Sequence, residues 1–217
     1  MDSPEEAESA LLADLVRRRR SIRRFQNRCV PQELLRRALD MARWAPSGAN
    51  RQAWHFVIVT DAQTRSDLAT AARAALFDLN AHLREAPVVI VACSNPGVSK
   101  WHLYDVSAAI MCLLLALDAL GLGACWVGMF DEKRVKELLA IPAALHVAAL
   151  VPVGYTAEEP SPPPRLEVDE IAFWQRWGSR DPGGPPLPRT RFGRRGVPSV
   201  LGRALRNLIS NALRRRR

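Results

Sequence analysis

Apolar positions crowd most densely between Asp105 and Gly128, in the stretch DVSAAIMCLLLALDALGLGACWVG. From Val106 to Leu120 nearly every residue is apolar, whichever face of a helix is drawn through it. A helix apolar all round must be buried on all sides. Asp118 interrupts the run and Gly121 and Gly123 end it, so it falls short of the ~20 apolar residues a membrane span needs. The pattern predicts a central core helix stopped by Gly121, with a buried strand at Ala124–Val127 behind it. A chain of this size covers such a helix poorly alone, and a second subunit is the natural cover.

Periodicity places the other elements around that helix. Ser3-Pro4-Glu5-Glu6 reads as a helix start, with Ser3 as N-cap, Pro4 at the first helical position and Glu6 three residues after the cap. Leu11, Leu12, Leu15 and Val16 form its apolar stripe. Pro31 opens a second helix with Leu34, Leu35, Ala38, Leu39 and Ala42 on one face, ending at Trp44-Ala45-Pro46. Trp54–Thr60 and Val88–Cys93 are continuous apolar runs, expected as buried strands, with Asp61–Ala75 helical between them. Phe77–Glu85 is irregular. Asp131 caps a short helix, Glu132–Leu139, and His146–Val153 is a further strand. Glu158–Pro164 is stiff and polyproline-like. Val168–Trp177 carries Trp174 and Trp177, too much aromatic area to leave in water, and is expected to pack on a neighbour.

Charge separates the chain into two regions. From Ser179 onward eleven arginines face one acid, Asp181, a net of +10 within a chain of +9 overall; the other 178 residues hold twenty basic and twenty-one acidic side chains, a net of −1. The body is nearly neutral and the basicity belongs to the tail. This organisation predicts residues 1–177 as one domain, 178–199 as a Gly/Pro/Arg-rich linker, and 200–217 as a basic amphipathic tail. The four cysteines, Cys29, Cys93, Cys112 and Cys125, form no CxxC and no Cys/His cluster. Neither a metal site nor a disulfide framework is indicated, and a reducing cytosol suits them. The acidic N-terminus lacks the apolar core of a signal peptide.

Two segments carry candidate chemistry. In Arg17–Phe25, RRRRSIRRF, Arg17 and Arg18 are explained by the dipole at a helix C-terminus. Arg19, Ser21 and Arg23 alternate in an extended segment and would point the same way. Two guanidinium forks and a hydroxyl on one side make a phosphate clamp, although a solvated basic face accounts for the same residues. Ser47-Gly48-Ala49-Asn50 is a small-residue loop. It reads either as an ordinary helix-to-strand connection or as a place where backbone amides approach a flat ligand. Trp101, His102 and Tyr104 either wall a pocket or form a structural lid. His55, His82, His102 and His146 show no ligand spacing. There is no GxGxxG after a strand, no GxxxxGK[ST] and no GxSxG.

Together the segments RRSIRRF (Arg19–Phe25), APSGANRQAWHF (Ala45–Phe56), DVSAAIMCLLLALDALGLGACWVG (Asp105–Gly128) and PVGY…PPPRLEVDEI (Pro152–Ile171) resemble the FMN-dependent nitroreductase family. The resemblance implies an α+β fold, a mixed sheet flanked by helices, built as an intimate homodimer around a long buried dimer helix with FMN at the interface. It implies that Arg19, Arg20 and Ser21 hold the FMN phosphate and ribityl chain, and that Arg23 sits by the pyrimidine end of the flavin. Pro46, Ser47, Gly48 and Asn50 would line the ring and chain from the other subunit. Val127 and Gly128 would bring backbone amides near the reactive nitrogen, and Arg165 would return to the phosphate. Many members carry a second basic residue two positions before the one matched to Arg165, where this chain has Pro163. Phe77–Trp101, the region that shapes substrate choice in the family, matches no motif.

The implied activity is reduction of a nitroaromatic, quinone or related small acceptor with NADH or NADPH as donor, in a ping-pong cycle carried by the cofactor. No side chain is arranged as a nucleophile, so no catalytic residue and no metal ligand is assigned. Relatives that deiodinate iodotyrosine are set apart by a lid sequence not seen here. The competing reading is a peripheral membrane or nucleic-acid binding protein that uses the flavin-type dimer as scaffold. The tail motivates it: Leu201, Ala204, Leu205, Leu208, Ile209, Ala212 and Leu213 recur at helical spacing beside arginines. Either the tail is solvated and without a role, or it lies on an anionic membrane. Nucleic acid fits less well, because Phe192 is its only base-stacking side chain. The expected location is cytoplasmic, at the inner membrane face if the tail binds lipid.

Overall fold

The computed structural model describes residues 3–72 and 80–179. The chain divides into a unit spanning Met1–Pro160 and a unit spanning Ser161–Arg217. The tail expected at 200–217 lies outside the described residues, as do positions 73–79.

The first unit is built on a four-stranded sheet. Its strands are β1 (Trp54–Val59), β2 (Val88–Ser94), β3 (Gly123–Ala124) and β4 (His146–Gly154), in the order β1-β2-β4-β3. All three pairings are antiparallel. The expected mixed character survives only at one edge, where Ser21 bridges Ala124 in parallel. β2 is buried along its whole length because both of its faces are covered. Val88, Ile90 and Ala92 join one core with α2 (Gln32–Ala42) and α5 (His102–Ala119). Val89, Val91 and Cys93 join a second core with α3 (Ala62–Ala71) and α6 (Glu132–Leu139). This two-sided cover explains a continuous apolar run in an antiparallel strand, where alternation is the norm. β1 differs from expectation. It is an edge strand with only Trp54 and Val59 buried, and His55 and Ile58 face water.

Local signals fix the helix ends. In α1 (Pro4–Arg18), Ser3 Oγ accepts the Glu6 N–H and the Glu6 carboxylate accepts the Ser3 N–H, a reciprocal capping box. Asp61 caps α3 and Asp131 caps α6 one-sidedly, each carboxylate accepting the N–H of Thr64 or Arg134. At the end of α5, Gly121 sits at φ +76°. Its N–H bonds Asp118 O at 3.0 Å and the Leu122 N–H bonds Leu117 O at 2.9 Å, a Schellman closure that needs a residue without Cβ.

Two expectations are corrected by the packing. By length and apolarity α5 does match a membrane span, but it lies against α2 and the sheet. It is not covered all round: Leu103, Tyr104 and Met111 stay exposed along one stripe, and Leu11, Leu12 and Val16 of α1 are exposed as well. The predicted strand at Ala124–Val127 is broken. β3 spans two residues, and the chain then leaves the sheet and returns for a single bridge between Val127 and Leu150.

In the second unit, α7 (Val168–Ile171) is one turn closed by its own capping box between Glu167 and Glu170. Beyond it the rings of Phe173 and Trp177 meet with centroids 4.6 Å apart, tilted by 46°.

Candidate cofactor site

The Arg19–Arg23 segment is extended and docked along the sheet edge. Arg19 leaves α1 at φ −51°, ψ 130°, and the Ile22 N–H bonds Ala124 O at 2.9 Å. Buried Ile22 anchors it against Gly123, where an added Cβ would lie 2.8 Å from the Ile22 branch. Ile22 turned inward leaves Ser21 and Arg23 on the other side, as strand alternation requires. The Nε of Arg19 is buried and has no hydrogen-bond partner among the described residues. A buried charged donor without an acceptor is costly, and an anion is what would satisfy it. Arg20 is used differently from expectation: its Nη1 donates to the carbonyls of Arg17 and Arg19 at 2.6 and 2.7 Å, closing the end of α1.

The Cys125 thiol lies beside this segment. Burial pushes it up from its usual value, while the charges of Arg23 and Arg19 and a hydrogen bond from Ser21 pull the other way. Val127 and Gly128 follow. The Val127 N–H donates to Leu150 O at 2.9 Å and its carbonyl accepts the Leu150 N–H at 3.0 Å. That amide is engaged within the sheet, and the Gly128 amide follows it in the chain.

The Pro46–Gln52 loop is locked from several directions. Ala49, Asn50 and Gln52 all take positive φ, 52°, 53° and 48°, a left-handed cluster that non-glycine residues adopt only when their surroundings enforce it. The Gln52 N–H donates to Ser47 Oγ at 3.0 Å, and the Gln52 side chain reaches Asn50. The Gly48 N–H donates to Asp105 Oδ1 at 3.0 Å, and the Ser99 hydroxyl donates to Asp105 Oδ2 at 2.8 Å. Arg51 Nη1 donates to Val98 O at 2.8 Å. Gly48 packs so closely on Trp101 that a Cβ there would meet its ring at 3.0 Å. Pro46 and Asn50 remain exposed.

Strand register shows that these two groups of residues are far apart within one chain. Trp54, just after the loop, stands opposite Ser94, and Ser94 opposite His146. Ser21 stands opposite Ala124, and Ala124 opposite Val153. The two corners are separated by seven residues along β4 and four strand steps, from β1 through β2, β4 and β3 to the Ser21 segment. At ~3.3 Å per residue and ~4.8 Å per strand this is about 30 Å on the diagonal. The eighteen residues of α5 span most of that distance, about 27 Å. Its first turn holds Gly48 through Asp105, and its end leads into β3 beside Ser21. Arg165 belongs to the second unit, where its exposed guanidinium contacts the Pro164 carbonyl at 3.3 Å.

Two carboxylates that organise these segments had no assigned role in the sequence reading. Asp105 had one signal, as a lone acid at the head of an apolar run. Glu158 had none beyond its place in the PVGY…PPPR stretch; its Oε1 accepts the backbone N–H groups of Arg23 and Arg24 at 2.5 and 3.0 Å. Two of the histidines make structural contacts. His102 Nδ1 pairs with Ser94 Oγ at 2.8 Å, and His146 pairs with Glu132 at 3.2 Å. No cluster of three or more metal-ligating side chains occurs among the described residues.

Residues 16–83 and 71–155 match the sequence model of the nitroreductase family. An NADH dehydrogenase of Thermus thermophilus is 33% identical over 195 residues, covering 73% of this chain and 93% of that protein. Among solved structures, an FMN-dependent nitroreductase from Clostridium difficile R20291 superposes with a TM-score of 0.68 at 26% identity, over 76% of this chain and 99% of the other. An oxidised iodotyrosine deiodinase bound to FMN and 3-iodo-L-tyrosine gives 0.70 at 28% identity, over 76% and 100%.

Proposed function

Because this chain belongs to the nitroreductase family of oxidoreductases, we propose that it works as an FMN-dependent NAD(P)H oxidoreductase and as a homodimer with two composite cofactor sites. The observation that carries the proposal is the diagonal separation of the two ligand-binding groups. One mononucleotide cannot reach both within a subunit. Two α5 helices packed antiparallel about a two-fold axis, along the exposed stripe of Leu103, Tyr104 and Met111, would bring the loop of one subunit to the arginine segment of the other. The same contact would cover apolar surface that the single chain leaves in water.

The residues fit the cofactor. The unpartnered Nε of Arg19 suits a phosphate oxygen, with the Ser21 hydroxyl on the same segment. Arg20 would brace the segment. Arg23 would lie at the pyrimidine edge, where negative charge gathers on reduction and a fixed guanidinium stabilises it. Pro46, Ser47, Gly48 and Asn50 of the partner subunit would bound the ring, and the Gly128 N–H would face its reactive nitrogen. Bound there, FMN would supply the redox chemistry between NAD(P)H and a nitroaromatic, quinone or similar acceptor. The protein's part is to bind, orient and tune. The free cysteines accord with a cytoplasmic setting.

The test is the visible spectrum of purified protein before and after NADH, with its mass in solution. The expected result is a yellow dimer that bleaches with NADH and recovers with menadione or a nitroaromatic. A colourless monomer that FMN cannot reconstitute overturns the proposal.

A further inference from the structure

We infer that Glu158 is the positioning residue for Arg23, acting through the backbone rather than through an ion pair. The inference rests on the proposed placement of Arg23 at the flavin.

The segment after β4 runs antiparallel to Arg24–Gln26. The Gln26 N–H donates to Tyr155 O and the Ala157 N–H to Arg24 O, each at 2.9 Å, and Phe25 bridges Thr156. At Glu158 the side chain takes over the pairing. Its Oε1 receives both the Arg23 and the Arg24 amide, where the next strand carbonyl would otherwise be needed. A carboxylate accepting two amides makes charge-assisted bonds, stronger than the neutral ladder they extend. Glu158 is itself held: its carbonyl accepts the Thr156 hydroxyl at 2.6 Å and its N–H donates to the same oxygen at 3.2 Å.

Arg23 depends on this clamp. Among the described residues its guanidinium makes one weak hydrogen bond, 3.5 Å to the Ser21 carbonyl, and the side chain is exposed. No ion pair joins it to Glu158 among the described residues. Glu158 Oε1 is engaged by the two amides, which fixes the backbone beneath Arg23 and leaves its guanidinium to face a ligand.

The sign of one measurement separates this role from a simple charge effect. If Glu158 acted on the flavin only as a nearby negative charge, removing it would raise the reduction potential. If it positions Arg23, Glu158→Ala releases the guanidinium and lowers the potential, in the direction of Arg23→Ala. Glu158→Gln keeps an oxygen acceptor and stays closer to wild type. In an Arg23→Ala background, Glu158→Ala then has no further lowering effect, because coupled residues are not additive.

The experiment has two arms. In flavin-free protein, amide exchange at Arg23 and Arg24 is expected to quicken about ten-fold or more in Glu158→Ala, while Ile22, bonded to Ala124, is unchanged. In FMN-loaded dimer, redox titration is expected to give the ordering above. Unchanged exchange, a raised potential in Glu158→Ala, or collapse of both variants as unfolded protein overturns the inference. A wild type that takes up no FMN while the exchange arm succeeds would overturn the flavin reading and leave the backbone clamp standing.

Discussion

The Gly48 amide and the Asp105 carboxylate meet at 3.0 Å across 57 residues of sequence, and this contact joins the strained loop to the first turn of the central helix. Asp105 is 5% exposed, so its two acceptor oxygens cannot turn to water. Asp105→Ala leaves the Gly48 N–H and the Ser99 hydroxyl unpaired and is expected to cost about 3 kcal/mol, twice the lower range for a bond to a charged group. Asp105→Asn, which keeps one oxygen, should cost less than half as much. Urea unfolding gives the stability, and FMN titration should show weakened binding even in the fraction that folds.

Crowding at Gly123 makes a second, contrasting pair. A methyl group there would press on Ile22, so Gly123→Ala is expected to destabilise by about 1–3 kcal/mol and to push the Arg19–Arg23 segment off the sheet edge. FMN affinity should fall with it. Gly121→Ala meets nothing within 4 Å and costs only its left-handed backbone, about 1 kcal/mol. Its flavin affinity should match wild type. Equal loss of FMN in both variants would mean that the packing of Ile22 does not position the segment.

Arg19 and Arg17 are two residues apart but differ in surroundings. Arg17 is exposed at the end of α1, whereas the Arg19 Nε is buried without a partner. Arg19→Ala is expected to weaken FMN binding roughly ten-fold to a hundred-fold, from the loss of ~1.5–3 kcal/mol for a charge-assisted bond. Arg17→Ala should change it by less than about five-fold. Fluorescence titration of apoprotein with FMN decides between them.

Acid should loosen α6 from β4. The Glu132 carboxyl lies below its ordinary 4.5: burial acts to raise it, but a hydrogen bond from Lys136, the Val147 amide and the charge of His146 outweigh that effect. A carboxyl lowered in the folded state contributes stability that is complete above its unfolded value and is lost as pH falls through the folded one. Wild type should therefore lose stability below about pH 4.5, and Glu132→Gln should show a shallower decline over the same range. Urea midpoints at pH 6 and pH 3.5 provide the comparison.

Thiol labelling should separate the cysteines by burial. Burial pushes the Cys93 thiol up to about 11 and raises Cys125 as well, and only the thiolate reacts. At neutral pH a maleimide or disulfide reagent should modify exposed Cys29 first, with Cys93 and Cys125 protected until the protein unfolds. Rapid labelling of Cys93 in the native protein would contradict the packing of β2.

The sequence by itself determined what neighbouring residues decide among themselves. Ser3 and Asp131 announce their helices, and Gly121 announces the end of α5, because capping bonds span only three to five positions. The alternation of Arg19, Ser21 and Arg23 was likewise visible, since an extended chain sends every second side chain the same way. Tertiary structure alone decided the rest. Whether the Trp54 run was central or an edge depended on which strand lay beside it. Whether Leu103 and Met111 were covered depended on how much partner surface one chain could supply. The Val127 amide was claimed by Leu150, and the Arg20 fork by the carbonyls of α1. Glu158 reached Arg23 across 135 residues, a pairing set by strand register and the course of the chain after β4, and a carboxylate carries no mark in sequence of which distant amide it will accept.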